Sequence, residues 1–439
     1  MEGRGGRWVL YAMCVGAFLI RLALAPISAH PMDMWNRYKA YLIVRDVGYL
    51  GFHDFPPLYY HFILLASFAL YDLLSGQGAE ELIAREDIAG GLDGWLEHMA
   101  YIPSPLFLTC IKLPMMVADV LIAILLYRAS IEILSLPQGD ALKLASLWLF
   151  NPFVIFISSC WGMFDAIPAL LTLCSFYLLA KKRFRLSALM LALAFACKLY
   201  PILILPFWLL YLRHQGKRPA LEYLTIFVAT SLAIMLPDVQ IIQKPIAPLL
   251  DPRVKPTMPV GFGLTFWSFC LLFYDGEPPE ALILGVAISS IILFGVIYLA
   301  TLYLALRGQW MRRGQDAHLL SLHALLGLLP PFISYRVVCE QWLIWPLSLL
   351  ILRNEGRRLA LPLSLIALLY SVINCPLPFF LLPMAYAWPS LLSAAIATLV
   401  PLIYSIRVNS LVLLGCLATL AFSKAYLSLL TTATAQPRH

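Results

Sequence analysis

The chain has 439 residues, of which 61% are hydrophobic and 13% charged, and its formal net charge is +7. Soluble domains are about half apolar and a quarter charged, so this composition excludes an ordinary soluble protein and points to an integral membrane protein. In such a chain an excess of Lys and Arg marks cytoplasmic loops, and nucleic acid is not needed to explain it.

Arg4 and Arg7 precede an apolar run from Trp8 to Ile20 that continues past Arg21 to Pro26. It is too long for a signal-peptide core and carries no convincing cleavage site, which predicts a retained first span starting in the cytoplasm. Residues 29–56 then read as an external loop of amphipathic character, with Trp35, Tyr38, Tyr41 and Leu42 on one helical stripe. Its acid Asp33 has two readings: a general base at the membrane edge, or the N-cap of the following helix. Asp46 and Asp54 read as solvated or capping residues. Residues 57–75 look like a second span. The acidic stretch 76–104 must then cross back if the 106–127 span is to end inside at Arg128, and this parity stays open.

Basic clusters at Lys181–Arg185, Arg213–Arg218, Arg307–Arg313 and Arg353–Arg358 mark inner ends. They are connected by spans expected near 8–28, 106–127, 142–159, 165–180, 187–212, 221–236, 281–306, 317–333, 341–352, 359–373, 389–406 and 408–430. The total is about eleven to thirteen, short apolar runs being indistinguishable from re-entrant helices. Proline breaks the helix ladder, so the 187–212 piece should be interrupted between Lys198 and Pro201. Two more external loops are expected, at 237–263 and 334–341. The nine cysteines are scattered singly, and His53, His61 and His323 form no ligand spacing. Neither a zinc site nor a disulfide framework is expected.

Polar residues inside apolar stretches carry the chemistry. Asp165 in WGMFDAIP caps the 165–180 helix or orients a partner group, since membrane-edge carboxylates tend to be functional. Lys198 is solitary in ACKLYP. It can bind a phosphate as a point charge or snorkel to the interface. Arg336 and Glu340 in SYRVVCEQW stand at i and i+4 if helical, and then pair with each other. Alternatively Arg336 joins Lys198 at a phosphate, with Glu340 and Gln341 on sugar hydroxyls. Arg21 and Asp119 lie inside apolar spans and are expected to be structural partners.

Taken together, WLFNP, WGMFD, LAKKR and AFACKLYP resemble the membrane-embedded GT-C glycosyltransferases. They are most similar to the catalytic subunit of GPI mannosyltransferase I, the PIG-M family. FLTCIKLPMMVADVLIAILLYR and VVCEQWLIWPLSLL agree, and WGMFDAIP also resembles a segment of the dolichol-linked glucosyltransferases. The likeness is best over 106–212 and 334–350, and weaker over 29–62. It implies an all-α polytopic bundle of GT-C type with an amphipathic first external loop. A catalytic module would cover 1–236 with external loop 29–56, and a C-terminal transmembrane module 237–439 with loops 237–263 and 334–341.

The resemblance further implies inverting transfer of a hexose, with mannose expected, from a polyprenyl-phosphate-linked donor. The acceptor would be a lipid-linked glycan, glycolipid or protein at the outer or luminal face, in the plasma membrane or a eukaryotic endoplasmic reticulum. Asp33 stands at the place of the family's loop base. The family usually shows D-x-D there; here MDMW holds a single acid, so a divalent cation stays open and no other cofactor is implied. Lys198 and Arg336 would bind the donor phosphate, and Asp165, Glu340 and Gln341 would orient substrate. An accessory membrane subunit stays open. The rivals are a lipid or sugar transporter and a non-catalytic membrane subunit. Transporters often carry inverted repeats; none is visible, and the polar residues gather at one face, which favours an enzyme.

Overall fold

The apolar runs fold into helices whose ends are set by the polar residues between them. The computed structural model describes residues 4–48, 57–76, 82–84, 101–236, 261–273, 278–307 and 317–435. Helix α1 (Arg4–Leu24) is followed by α2 (Pro31–Val47), and a wide turn at Tyr59–Leu64 leads into α3 (Leu65–Ser75). Strands β1 (Leu82–Ala84) and β2 (Tyr101–Pro103) pair antiparallel before α4 (Pro105–Glu132). Ser104 starts α4, its Oγ accepting from the Phe107 N–H at 3.2 Å with Pro105 in the first turn, an arrangement that satisfies free N–H groups at the helix start.

Helix α5 (Gln138–Leu149) and α6 (Pro152–Ile155) meet at Asn151. Asn151 Oδ1 accepts from the Phe153 and Val154 N–H groups at 3.0 and 3.4 Å, and its Nδ2 donates to Ser364 Oγ at 2.9 Å. The NP of WLFNP is therefore a cap followed by a first-turn proline, and the two segments are bent by 44° across it. Helices α7 (Ala166–Ala180) and α8 (Phe184–Cys197) form a hairpin through Lys181–Arg183, and α10 (Lys217–Met235) packs on α8 after the short α9 (Leu205–Gln215).

The second half contains β3 (Phe262–Gly263), α11 (Glu280–Arg307), α12 (Ala317–Leu328) and α13 (Pro330–Ser334). Strand β4 (Val337–Val338) runs parallel to β3 and is followed by α14 (Ile344–Leu352), α15 (Asn354–Asn374), α16 (Leu377–Phe380) and α17 (Pro389–Ala435). The result is an all-α polytopic membrane protein.

Among the described residues six helices are long and apolar enough to cross a bilayer, with α5–α6 as a bent seventh, and α4 is the most enclosed of the six. Several expected spans are shorter than that: α7 has 15 residues, α8 14 and α14 nine, where a bilayer core takes about 20. Residues 59–75 likewise form an apolar helical stretch below spanning length. The two spans expected at 389–406 and 408–430 are instead one helix of 47 residues, whose backbone ladder runs on through Arg407. The break expected at Lys198–Pro201 is present: α8 ends at Cys197, Lys198 is extended, and a 3₁₀ turn covers Tyr200–Leu203. Most of 76–104, on which the parity question turns, Asp54, His53 and most of loop 237–263 lie outside the described residues.

The buried charges Arg21 and Asp119 do pair, Nε to Oδ2 at 2.9 Å with both side chains fully enclosed. Arg21 Nη1 also donates to the carbonyl oxygens of Ala17 and Leu149 at 3.1 and 2.9 Å. One guanidinium thus ties α1 to α4 and α5.

Candidate active site

The site is built around the turn Trp161–Asp165, which joins α6 to α7. Gly162 at its centre has φ +86°, and a Cβ there would lie 2.7 Å from Met34 Cε and 3.0 Å from Lys112 Cε. Glycine permits both the left-handed backbone and this close approach. Lys112, fully buried on α4, donates to the carbonyl oxygens of Ala25 at 2.8 Å, of Cys160 at 3.4 Å and of Ser28. Arg37 on α2 donates to the Gly162 carbonyl. Two cations therefore clamp the chain just after α1 and helix α2 onto this turn. From its other side α2 rests on α4 and α3: the rings of Tyr38 and Tyr41 lie 5.2 and 5.7 Å from Phe107, and the Tyr41 hydroxyl donates to Asp72 Oδ1 at 2.6 Å.

Asp33 lies in the first turn of α2, three residues after His30. The N-cap is His30, so the capping reading of Asp33 is corrected. Its carboxylate is turned to the WGMFD turn instead: Trp161 Nε1 donates to Asp33 Oδ2 at 2.6 Å, and His30 Nδ1 lies 3.0 Å from the same oxygen. The His30 ring stacks on Trp161, with centroids 4.7 Å apart, and meets the edge of Phe380 at 5.4 Å. Burial works against a charged imidazole, yet the charge and hydrogen bond of Asp33 outweigh it and hold His30 up to about 10. For Asp33 burial pushes the carboxyl up, while His30, Arg37 and Trp161 together hold it well below the usual carboxylate range. Trp161 and His30 both meet Oδ2, and no described group donates to Oδ1 of a side chain that is 34% exposed.

Asp165, at the far end of the turn, begins α7 but makes no side-chain cap. It is fully buried, and its Oδ1 accepts from Lys198 Nζ and from Trp345 Nε1, both at 2.6 Å. Lys198 Nζ also lies 5.0 Å from the Phe164 ring centroid and 5.3 Å from that of Trp345. Trp345 stacks on Tyr200 at 4.1 Å and on Trp342 at 4.8 Å. The opposite charges of Asp165 and Lys198 are in direct contact.

Arg336 and Glu340 are not i,i+4 helical partners. Arg336 precedes β4, its carbonyl accepting from the Phe262 N–H at 2.9 Å, and Glu340 opens the next 3₁₀ turn. Parallel pairing with β3 holds this stretch extended. Arg336 Nη1 and Gln341 Oε1 are buried without a hydrogen-bond partner among the described residues. Glu340 Oε1 accepts from Asn374 Nδ2 at 3.2 Å and lies within electrostatic reach of His30 and Asp33. No hydrogen bond or ion pair among the described residues joins Arg336 to Lys198. Asp46 pairs with Arg45 on the surface at 3.0 Å, in keeping with a solvated acid.

Divalent cations take several oxygen ligands. Among the described residues no three His, Cys, Asp or Glu side chains form such a set, and Asp33 Oδ2 already accepts from Trp161 Nε1 with His30 Nδ1 3.0 Å away. These residues do not fit a divalent ion. The site residues that the sequence reading missed are His30, Arg37, Lys112, Trp161 and Trp345. The one local signal was the spacing of His30 and Asp33 in HPMD, which a histidine cap explains.

Comparison with known proteins gives two likenesses. Residues 93–242 match the family described as GPI transamidase subunit PIG-U. A protein named GPI mannosyltransferase 1 from Candida albicans is 36% identical over 104 residues, 24% of this chain and 26% of the relative. Its namesake from Debaryomyces hansenii is 33% identical over 101 residues, 23% of this chain and 24% of the relative. The matched region spans about a quarter of the length of these curated relatives. The resemblance to GPI mannosyltransferase expected from the motifs is thus shown over part of the chain, which is similar to membrane proteins of GPI assembly and attachment.

Proposed function

We propose that the protein is an inverting membrane glycosyltransferase that moves a hexose, with mannose expected, from a polyprenyl-phosphate donor to a lipid-linked acceptor. The observation that carries this reading is the Asp33 carboxylate: fixed through Oδ2 by Trp161 and His30, open at Oδ1, and set at the edge of an apolar bundle. Oδ1 takes the proton of the acceptor hydroxyl as its oxygen attacks the anomeric carbon. The bond from that carbon to the phosphate oxygen breaks on the opposite face, and its electron pair leaves with the lipid phosphate. Fixed cations near that growing charge stabilise the transition state. Arg336, with a buried and unpaired Nη1, is the principal candidate. Lys198 shares its charge with Asp165 and supplies orientation as well as attraction. Glu340 and Gln341 would meet sugar hydroxyls. The likeness to GPI mannosyltransferase 1 supports mannose and a GPI-type lipid acceptor; an endoplasmic-reticulum location with a luminal site belongs to the same proposal.

A second reading is favoured by the PIG-U match: a non-catalytic membrane subunit that binds a glycolipid for a partner enzyme. Purified protein in liposomes, offered radiolabelled polyprenyl-phosphate mannose or glucose with a membrane lipid extract, separates the two. Labelled glycolipid from one donor, lost in Asp33→Asn, supports the transferase. A protein that binds glycolipid and yields no product, alone or with a co-purified membrane partner, supports the subunit.

A further inference from the structure

Arg407 stands inside α17, whose neighbouring Leu402, Ile406 and Val408 are exposed apolar side chains. A guanidinium in such surroundings is costly unless an anion or a set of acceptors receives it. Arg407 Nη2 donates to Asn374 Oδ1 at 3.2 Å, and the guanidinium lies 5.2 Å from the Tyr404 ring centroid. Its Nε is buried without a partner among the described residues, and no described carboxylate forms an ion pair with it. The protein supplies one neutral oxygen where a planar, bidentate cation can bind a phosphate. Asn374 is oriented from both ends: its Oδ1 faces Arg407 and its Nδ2 donates to Glu340. Glu340 in turn lies within electrostatic reach of His30 and Asp33. A polar row therefore leads from Arg407 on α17 through Asn374 to Glu340, a carboxylate that feels the charges of His30 and Asp33.

We propose that Arg407 binds the phosphodiester of the sugar-accepting lipid, with Asn374 and Glu340 aligning the attached sugar toward Asp33. This rests on the transferase reading. Both lipid substrates carry phosphate, but inversion sets the attacking oxygen and the departing phosphate on opposite faces of the sugar. Arg407 is connected to the side of the base, where the accepting hydroxyl enters. Lys198 and Arg336 remain for the departing phosphate.

The test measures lipid binding to the full chain in a phosphate-free maltoside detergent, by native mass spectrometry. The probes are phosphatidylinositol, a polyprenyl phosphate and a phosphate-free diacyl glycolipid. Arg407→Gln should weaken phosphatidylinositol about 10- to 100-fold, the range for losing a charge-assisted contact. Arg407→Lys, which keeps the charge and guards against simple misfolding, should recover part of that loss. Polyprenyl phosphate and the neutral glycolipid should bind Arg407→Gln as they bind the unaltered protein. Unchanged phosphatidylinositol binding overturns the proposal, as does a loss confined to polyprenyl phosphate, which would assign Arg407 to the donor. Binding is read without turnover: a protein that transfers no sugar yet loses phosphatidylinositol in Arg407→Gln keeps this lipid site while the transferase reading fails.

Discussion

The indole of Trp161 donates to Asp33 Oδ2 at 2.6 Å, joining residues 128 positions apart in the chain. This bond fixes which carboxylate oxygen is free. Trp161→Phe keeps an aromatic ring against His30 and deletes the donor. Transfer should fall about 10- to 100-fold, as expected for a hydrogen bond to a charged group, with the loss in kcat and little change in donor KM. Steady-state kinetics of the purified variant checks this.

Gly162 is the second determinant of that geometry. Alanine there would meet Met34 and Lys112 and hold a left-handed backbone. A strained backbone position of this kind costs about 1–3 kcal/mol. Gly162→Ala should lower the unfolding midpoint in detergent and also reduce transfer, because the turn carries both Trp161 and Asp165. Alanine at Gly139, where an added Cβ meets nothing within 4 Å, is the control and should do neither.

The Arg21–Asp119 pair makes a prediction about stability alone. Removing one member of an enclosed ion pair leaves the other charge unpaired and costs about 3–5 kcal/mol. Asp119→Ala should therefore lower the unfolding midpoint sharply. The double variant Arg21→Met with Asp119→Leu should recover much of it, since apolar replacement of both partners is often neutral or better. Thermal unfolding followed by intrinsic fluorescence reads both.

The His30–Asp33 pair has a definite pH signature. A raised His pKa contributes stability that is full below the ordinary 6.5 and is lost as pH rises through about 10. A depressed Asp contributes above the ordinary 3.8 and loses its contribution as pH falls. The pair therefore helps most between 3.8 and 6.5. Asp33→Asn removes the largest influence raising His30, so its pKa should fall from about 10. Protonated imidazole quenches a stacked indole, and His30 stacks on Trp161. Quenching should persist well into the alkaline range in the unaltered protein and be released at lower pH in Asp33→Asn.

Charge was the legible part of this site. Asp165 and Lys198 stood out because isolated charges in apolar sequence need partners, and they are 2.6 Å apart. Arg21 and Asp119 followed the same logic. The neutral donors carried no such mark. Trp161 and Trp345 are two of 11 tryptophans, and Trp345 reaches Asp165 across 180 positions. Nothing in local spacing singles out an indole N–H that will meet a carboxylate. Helix lengths were misread for a related reason. Hydropathy counts apolar residues, and it registers neither where a short helix stops nor that the backbone of α17 stays helical through Arg407.

The central claim is that Asp33 accepts the proton of the attacking hydroxyl, and a single-turnover experiment reads it most directly. Protein saturated with radiolabelled polyprenyl-phosphate mannose is mixed with acceptor lipid, and donor binding is measured separately on the same preparation. The account predicts that Asp33→Asn binds donor normally and transfers about 10²- to 10⁴-fold more slowly, the range for a lost general base. Transfer at the unaltered rate with normal donor binding would contradict it.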